Sequence, residues 1–205
     1  MSSTSQSPAS PPPTQVPQAA EIAPFPQLTT ERLQLREITM ADAPDLMQVY
    51  GNAEVMRWFG TDPVTELAQV EAMIARWAGL RQQADPATRW GIQRQGDSTL
   101  VGTCGLFAVN RAWRKCTLGY DLALPAQGQG YMQEALHAAL DWGFTTLELN
   151  RIEAQIHPDN LASINLVLKL GFHREGVLRQ VGFWGGSFHD LIQFSLLRNE
   201  WVLES

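Results

Sequence analysis

The segment best suited to chemistry is the loop Gln127-Gly128-Gln129-Gly130-Tyr131-Met132, which follows a predicted strand and opens a predicted amphipathic helix. A helix N-terminus presents unpaired N–H groups and the positive end of the helix dipole, so it can bind an anion without a basic side chain. Two glycines let the backbone turn sharply and approach a bulky phosphate closely. The sequence therefore predicts a phosphate-binding loop at these six residues.

The glycine pattern alone does not identify the phosphate ligand. A dinucleotide-binding loop would carry a third glycine three residues after Gly130, where Gln133 stands. A P-loop would end in Gly-Lys followed by Ser or Thr, and this ending is absent. A purely structural connection between strand and helix is the remaining alternative.

Composition limits the class of protein. The 205 residues, 44% of them hydrophobic, suffice for one domain with a good-sized core. No apolar run approaches the roughly 20 residues of a membrane span, and a net charge of -6 argues against nucleic acid as the principal ligand. The two cysteines, Cys104 and Cys116, are too few for a disulfide framework or a multi-cysteine metal site. We therefore expect a cytoplasmic protein that binds neither membrane nor nucleic acid.

The first 27 residues differ in composition from the rest of the chain. They are rich in serine and proline, and their first charged residue is Glu21. Such a segment has too little apolar surface to offset its ordering entropy. We predict a disordered tail over residues 1–27 and one folded domain over residues 28–205.

The loop must be positioned by the elements around it, which hydrophobic periodicity predicts. Helices are expected after Asp42, over Thr65–Arg81, from the loop to Phe144 and over Ser163–Leu170. Strands are expected over Glu31–Arg36, Arg89–Arg94, Thr99–Phe107, Cys116–Leu124 and Arg151–His157. A final hairpin of Phe183–Phe188 and Leu191–Leu197 is expected to turn at Gly185-Gly186. The strand, loop, helix and strand around the glycines form a βαβ crossover.

In this context the loop resembles that of the GNAT superfamily of N-acetyltransferases, which reads Gln/Arg-x-x-Gly-x-Gly/Ala. Gln127 and Gly130 match that pattern, whereas Met132 departs from its last position. Further blocks, in the right order and spacing, are similar to the RimJ/RimL-like branch that acetylates ribosomal-protein N-termini: Thr30–Arg36, Leu118–Leu122, Glu134–Leu136, Arg151–Ala154, Asn160 with Ser163, Lys169–Phe172, Asp190 and Leu196–Trp201.

The resemblance implies a GNAT fold of the α/β (α+β) class. Its mostly antiparallel mixed central sheet would be splayed between the fourth and fifth strands, with helices on both faces. Acetyl-CoA would be the acyl donor, without a metal, and its pantetheine arm would lie along backbone groups in the splay, one of which would also hold the developing oxyanion. The implied cofactor-binding residues are Leu122, Leu124, Gln127, Gly128, Gln129, Gly130, Tyr131, Met132, Asn160 and Ser163.

Asn160 and Ser163, which follow the predicted strand Arg151–His157, each have more than one possible role. Asn160 is expected either to cap the following helix or to contact the CoA arm, and the two roles need not conflict. Ser163 lies one helical turn further on and is implied as the proton donor to the leaving thiolate. Other branches use a tyrosine four residues later, where this chain has Val167.

The general base is not evident from the sequence. Direct transfer needs a neutral amine, so a proton acceptor or a water chain is expected. The branch often has an acidic residue where this chain has Gly182. Asp121 is the first substitute, with a solvated strand carboxylate as the alternative. His157, His189 and Asp190 are further candidates, each with a structural alternative.

The acceptor is the least determined part of the prediction. The favoured acceptor is a protein N-terminal amine, attacked directly in a ternary complex. A small-molecule amine (a polyamine, an amino acid or an amine toxin) and a non-catalytic CoA-binding module are the alternatives. The aromatic side chains expected to rim the acceptor groove, or else to pack in the core or at the surface, are Trp58, Phe59, Trp113, Phe183 and Trp184. A homodimer is left open.

Overall fold

The computed structural model describes residues 24–81 and 87–201. The strands are β1 (Leu28–Thr29), β2 (Leu33–Arg36), β3 (Thr88–Arg94), β4 (Leu100–Asn110), β5 (Lys115–Leu122), β6 (Arg151–Ile156), β7 (His173–Trp184) and β8 (Ser187–Leu197). The helices are α1 (Ala43–Tyr50), α2 (Ala53–Met56), α3 (Leu67–Leu80), α4 (Tyr131–Thr145) and α5 (Leu161–Lys169), with short 3-10 helices at Met40–Asp42 and Leu124–Ala126.

Within the described residues, the strands form one eight-stranded sheet in the order β1-β2-β3-β4-β5-β6-β8-β7. Every neighbouring pair is antiparallel except β5 and β6, which are parallel. The pairing of β5 with β6 covers only Lys115–Thr117 and Arg151–Glu153, and beyond it the two strands diverge. The predicted mixed sheet with a splay is confirmed. The two strands that diverge are those predicted, and they count as the fifth and sixth only because the short β1 was not predicted.

Helices cover both faces of the sheet, as predicted. One apolar cluster joins α4 and α5 to the sheet and includes Leu136, Leu140 and Val167. A second cluster joins α1 and α3 to the other face and includes Leu46 and Ile74. We refer to these as the α4 face and the α1 face.

The long edge strand β7 is the largest element that the sequence did not predict. Only its last residues were expected to be extended, whereas the strand begins at His173. Most of its side chains are exposed, so they lack the alternating apolar pattern by which a half-buried strand is recognised. The strand is held by its ladder to β8, and backbone hydrogen bonds leave little trace in a sequence.

The folded domain begins before residue 28. The ring of Phe25 packs edge-on against Trp90, with 6.4 Å between ring centroids. The indole N–H of Trp90 donates a hydrogen bond of 2.7 Å to the carbonyl of Pro26. The predicted boundary of the tail is therefore corrected at residues 24–27, because these residues cover an indole of the core; residues 1–23 lie outside the described part of the chain.

None of the described helices has the length and apolar character needed to cross a membrane.

The strands β6, β7 and β8 on one side of the splay are braced by a carboxylate on β7. Glu175 accepts a hydrogen bond of 2.8 Å from Arg151 Nη1 on β6 and another of 2.8 Å from Ser195 Oγ on β8. The hydrogen bond from Arg151 lowers the pKa of Glu175 to about 2. Because this pKa lies below the unfolded value near 4.5, the brace stabilises the fold above pH 4.5 and is lost as pH falls toward 2.

We expect Glu175→Gln to lower the free energy of unfolding at pH 7 by less than about 1 kcal/mol, because the carboxylate is 40% exposed and screened by solvent. The difference from wild type should shrink between pH 4.5 and 2, as measured by urea unfolding. Glu71→Gln, at an exposed position of α3, is the control and should show no such trend. A difference that does not change with pH would contradict the role of the brace.

Candidate active site

The backbone of the glycine loop adopts a conformation that requires glycine. Gly128 and Gly130 have φ of 73° and 79°, in the left-handed region that side chains with a Cβ avoid. Gly130 is the N-cap of α4 and has no side chain to bond the first turn. The first intrahelical hydrogen bond runs from Glu134 N–H to Gly130 O. The N–H groups of the three residues before Glu134 therefore have no acceptor within the helix, as an anion-binding site requires.

The two glutamine side chains of the loop hold its shape. Gln127 Nε2 donates to Leu122 O at 2.9 Å, and Gln129 Nε2 donates to Pro125 O at 2.7 Å. These side chains are therefore engaged within the loop, and we expect a phosphate to use the backbone N–H groups at the start of α4. Met132 lies in the apolar cluster under α4, so its large side chain leaves the loop open.

A residue from the opening strand segment locks the loop from outside. Arg32 Nη1 donates to Gln129 O at 3.0 Å, and Arg32 Nε pairs with Glu134 Oε2 at 2.6 Å. The guanidinium also lies 4.8 Å from the ring centre of Tyr131. This role of Arg32 was not predicted from the sequence. Its signal was present, because Thr30–Arg36 and Glu134–Leu136 were both among the matching blocks.

The gap between β5 and β6 offers backbone groups from β5. Ala123 N–H bonds Val101 O at 2.8 Å, so Ala123 and each second residue before it bond toward β4. The backbone groups of Leu122 and Tyr120 therefore face the gap, and Leu122 O is already taken by Gln127. Leu124 lies in a 3-10 helix with its carbonyl bonded to Gln127 N–H. The N–H of Tyr120, which the sequence reasoning did not include, joins that of Leu122 in the gap.

The far side of the gap is formed by the start of α5. Asn160 Oδ1 accepts the N–H of Ser163 at 3.2 Å, which makes Asn160 the N-cap of the helix. The capping role is thus observed, and the contact of Asn160 with CoA stays a prediction. Ser163 lies on the first turn, where Tyr120 Oη is 3.5 Å from its carbonyl oxygen.

The carboxylate of Asp121 is buried rather than solvated. The residue is 6% exposed on the α1 face. Its Oδ2 accepts hydrogen bonds from Tyr50 Oη at 2.8 Å and Thr103 Oγ1 at 2.7 Å, and it pairs with Arg89 Nη1 at 3.1 Å. The alternative of a solvated strand carboxylate is therefore wrong, because α1 covers this part of β5. Burial raises the pKa of Asp121 against the opposing effect of Arg89, and its role as general base stays a prediction.

A glycine loop at the start of a helix, beside a gap between two parallel strands, is an arrangement shared with known proteins. The profile of the acetyltransferase (GNAT) domain matches residues 32–173 of this chain. The chain belongs to the GNAT acetyltransferase family. It is an acetyl-CoA-dependent N-acetyltransferase, as its sequence predicts.

Individual relatives cover nearly the whole folded part. The uncharacterized N-acetyltransferase YoaA of Bacillus subtilis is 36% identical over 174 residues, which are 85% of this chain and 98% of the relative. The inferred ribosomal-protein-serine acetyltransferase of Vibrio cholerae is 30% identical, with a TM-score of 0.72 over 83% of this chain and 97% of that one. The spermidine N-acetyltransferase of Vibrio cholerae, solved with CoA and spermine, is 22% identical, with a TM-score of 0.73 over 83% and 98%, a likeness of fold.

Two histidines, His157 after β6 and His189 on β8, lie on the side of the gap opposite the glycine loop. His157 Nδ1 accepts the N–H of Asp159 at 3.1 Å, so the proton of the neutral ring lies on Nε2. Burial lowers the pKa of His157 below the ordinary histidine value, which keeps this ring neutral at neutral pH. His189 Nε2 lies 3.1 Å from both Trp184 O and Ser187 Oγ, and because a carbonyl oxygen can only accept, we infer the tautomer with the proton on Nε2. In that tautomer Nδ1 carries the lone pair, which makes His189 a base candidate.

Aromatic rings close this side of the gap. Trp58 stacks on His157 with centroids 4.2 Å apart, and Trp184 stacks on His189 at 3.8 Å. Trp184 Nε1 donates to Arg57 O at 3.3 Å, which joins the final hairpin to the segment after α2. These contacts form a wall, made of Trp58, His157, Trp184 and His189, that we call the aromatic wall.

The remaining candidates lie elsewhere. Trp113 is 71% exposed in the turn before β5, at the end where β5 and β6 are paired, so its predicted place at the groove is corrected. Phe183 and Phe188 pair with each other on the exposed hairpin, 4.9 Å apart. Phe59 packs against the ring of Tyr50 at 5.6 Å. Asp190 Oδ1 accepts the N–H of Gln180 at 2.8 Å and so holds the irregular part of the β7–β8 ladder.

Proposed function

We propose that this enzyme acetylates the N-terminal amine of a protein or peptide by direct attack in a ternary complex with acetyl-CoA. The observation that carries the proposal is the ion pair of Asp121 with Arg89, together with the aromatic wall beside the gap. Asp121 is neutralised by Arg89, and His157 presents an N–H donor suited to a peptide carbonyl. The reduced state of the buried thiols Cys104 and Cys116 agrees with action in the cytoplasm.

The acidity of the acceptor amine decides between the candidate substrates. A terminal α-amine has a pKa near 7.7–8.0 and a lysine-like primary amine one near 10.4, so at neutral pH the α-amine has about 300-fold more of its neutral form. A site whose buried carboxylate, Asp121, is already paired with Arg89 gains most from an acceptor that is already partly neutral. This argument favours a peptide N-terminus over a polyamine.

The carboxylates around the gap also argue against a polyamine. A polycation would be held by several unpaired carboxylates. Asp62 accepts the N–H of Gly185 at 2.8 Å, Asp190 accepts that of Gln180, and Asp121 pairs with Arg89. These three are thus engaged by donors of the protein, and the exposed carboxylate beside His157, that of Asp159, is a single one where a polycation would need several.

The approach of the two substrates follows from the two faces of the sheet. The glycine loop opens α4, so the phosphates of the donor lie at its N-terminus and the acyl arm enters the gap from there. Asp121 on β5 and His157 after β6 both lie on the α1 face, by strand alternation with Leu122 and Ile156. The amine therefore reaches the thioester from the α1 face, past the aromatic wall.

The protein contributes positioning, charge stabilisation and proton transfer to the reaction. The N–H groups of Tyr120 and Leu122 face the gap and would hold the oxyanion as the amine nitrogen attacks the thioester carbon. The amine must lose a proton, for which Asp121 was the first candidate and His189 Nδ1 has the more accessible lone pair. The C–S bond then breaks, and the thiolate takes a proton from a hydroxyl beside the gap, for which the sequence predicted Ser163.

The test is thiol release from acetyl-CoA with a panel of amines at pH 7.5. We expect turnover with peptides that begin in Ser or Ala and have a free N-terminus. The same peptides with a blocked N-terminus and an internal lysine should give none, and spermidine should be at least tenfold slower in kcat/KM. Faster reaction with spermidine would point to a small-molecule acetyltransferase, and CoA binding without thiol release for any amine would point to a binding module.

A further inference from the structure

The phenol of Tyr120 bridges the gap between β5 and α5. Its backbone belongs to the strand on one side, and its ring packs against the cluster on the α4 face. Its hydroxyl lies 3.5 Å from the carbonyl oxygen of Ser163 on the first turn of α5. The side chain of Tyr120 therefore crosses the opening in which the thioester of the donor must lie.

No other tyrosine hydroxyl is available at this place. The chain has three tyrosines. Tyr50 bonds Asp121 on the α1 face, and Tyr131 lies under Arg32 at the outer side of the glycine loop. Val167, one turn after Ser163, is fully buried and apolar. Tyr120 is therefore the only phenol that reaches the α5 side of the gap.

We propose that Tyr120 is the catalytic acid that protonates the leaving thiolate of CoA. This assignment rests on the proposed acetyl transfer. As the C–S bond breaks, its electron pair stays on sulfur, and sulfur takes the proton from Tyr120 Oη. The amine releases its proton to solvent, and the phenolate of Tyr120 takes a proton back from solvent, so the protons balance. The proton thus comes from a side chain of β5, and Ser163 contributes the carbonyl oxygen that positions the phenol.

The hydroxyl is free enough to change partners. A distance of 3.5 Å is at the long limit of a hydrogen bond, so little is lost when the phenol turns from the Ser163 carbonyl to sulfur. A thiolate is also a charged acceptor, and hydrogen bonds to charged groups are roughly twice as strong as neutral ones.

The acidity of the group suits the step. Burial raises the pKa of Tyr120 to about 12, so the hydroxyl is protonated at neutral pH and has a proton to donate. Burial in the same sheet raises the pKa of Cys104 and Cys116 to about 12 as well. A thiolate formed beside this hydroxyl is also less well solvated than in water, which favours its protonation by the phenol.

The test compares Tyr120→Phe with wild type, using bound CoA as a probe. Ultraviolet titration of thiolate absorbance gives the pKa of the bound thiol. We expect it to rise by at least one unit in the variant, a tenfold shift, because the hydrogen bond to the thiolate is lost. The Kd for CoA should change less than about threefold, and kcat with the reactive peptides should fall about 100-fold.

Ser163→Ala is the matched comparison. It should leave the pKa of the bound thiol unchanged. A shift in Ser163→Ala with none in Tyr120→Phe would overturn the assignment and return the acid to Ser163. Unchanged thiol pKa and kcat in Tyr120→Phe would overturn it too. A wild-type protein that binds no CoA would overturn the proposed function itself, which is a separate and distinguishable result.

Discussion

Replacing Gly130 with valine is expected to raise the Kd for CoA at least about 100-fold. The residue has φ of 79° at the N-cap of α4, a conformation that a β-branched residue resists. A Cβ at this position would stand 3.3 Å from Arg32 Nη2, the group that locks the loop. Losing two backbone hydrogen bonds to phosphate, each about 1.5–3 kcal/mol, accounts for a factor of that size.

The matched control is Gly96→Val. Gly96 also has φ of 79°, in the turn between β3 and β4, and a Cβ there meets nothing within 4 Å. Both variants should lose similar stability from the left-handed conformation, about 1–2 kcal/mol. Only Gly130→Val should lose CoA affinity, as measured by isothermal titration. Equal affinities in the two variants would mean that the phosphates bind elsewhere.

The second large effect is expected at Asp121. Replacing it with alanine leaves Arg89 buried without its carboxylate partner, and breaking a buried ion pair from one side costs about 3–5 kcal/mol. Chemical denaturation measures the loss. Asp97→Asn, which breaks the exposed pair with Arg94, is the control and should leave stability nearly unchanged. An equally small effect at both positions would show that the buried pair does not stabilise the fold.

A double variant separates the structural from the catalytic role of Asp121. Asp121→Leu with Arg89→Met removes both charges, and apolar replacement of a buried pair is often neutral or stabilising. We expect it to recover part of the lost stability, because the unpaired charge is gone while Tyr50 and Thr103 still lack the acceptor of their hydrogen bonds. If Asp121 is the general base, the folded double variant should still lose most of kcat near neutral pH. A wild-type pH–rate profile in the double variant would remove Asp121 from the mechanism and leave His189 as the candidate.

Whether an element could be predicted from the sequence depends on how that element is stabilised. Elements that bury one face, such as α4 and β5, were predicted because burial imposes a period on the side chains. The strand β7 was predicted only at its end, because backbone pairing with β8 stabilises it and its side chains face solvent. Residues 24–27 were assigned to the tail, since the docking of Phe25 on Trp90 depends on a partner 65 positions away.

The same distinction holds within the site. The sequence determined the glycine loop, the helix that follows it and the family, because local backbone conformation dictates these residue types. Only the tertiary structure decided that Arg32 locks the loop, that Asp121 is buried against Tyr50 and Arg89, and that the phenol of Tyr120 reaches α5. Those relations join residues that are 30 to 100 positions apart, and their physical cause is packing between elements, which leaves no periodic signal in the chain.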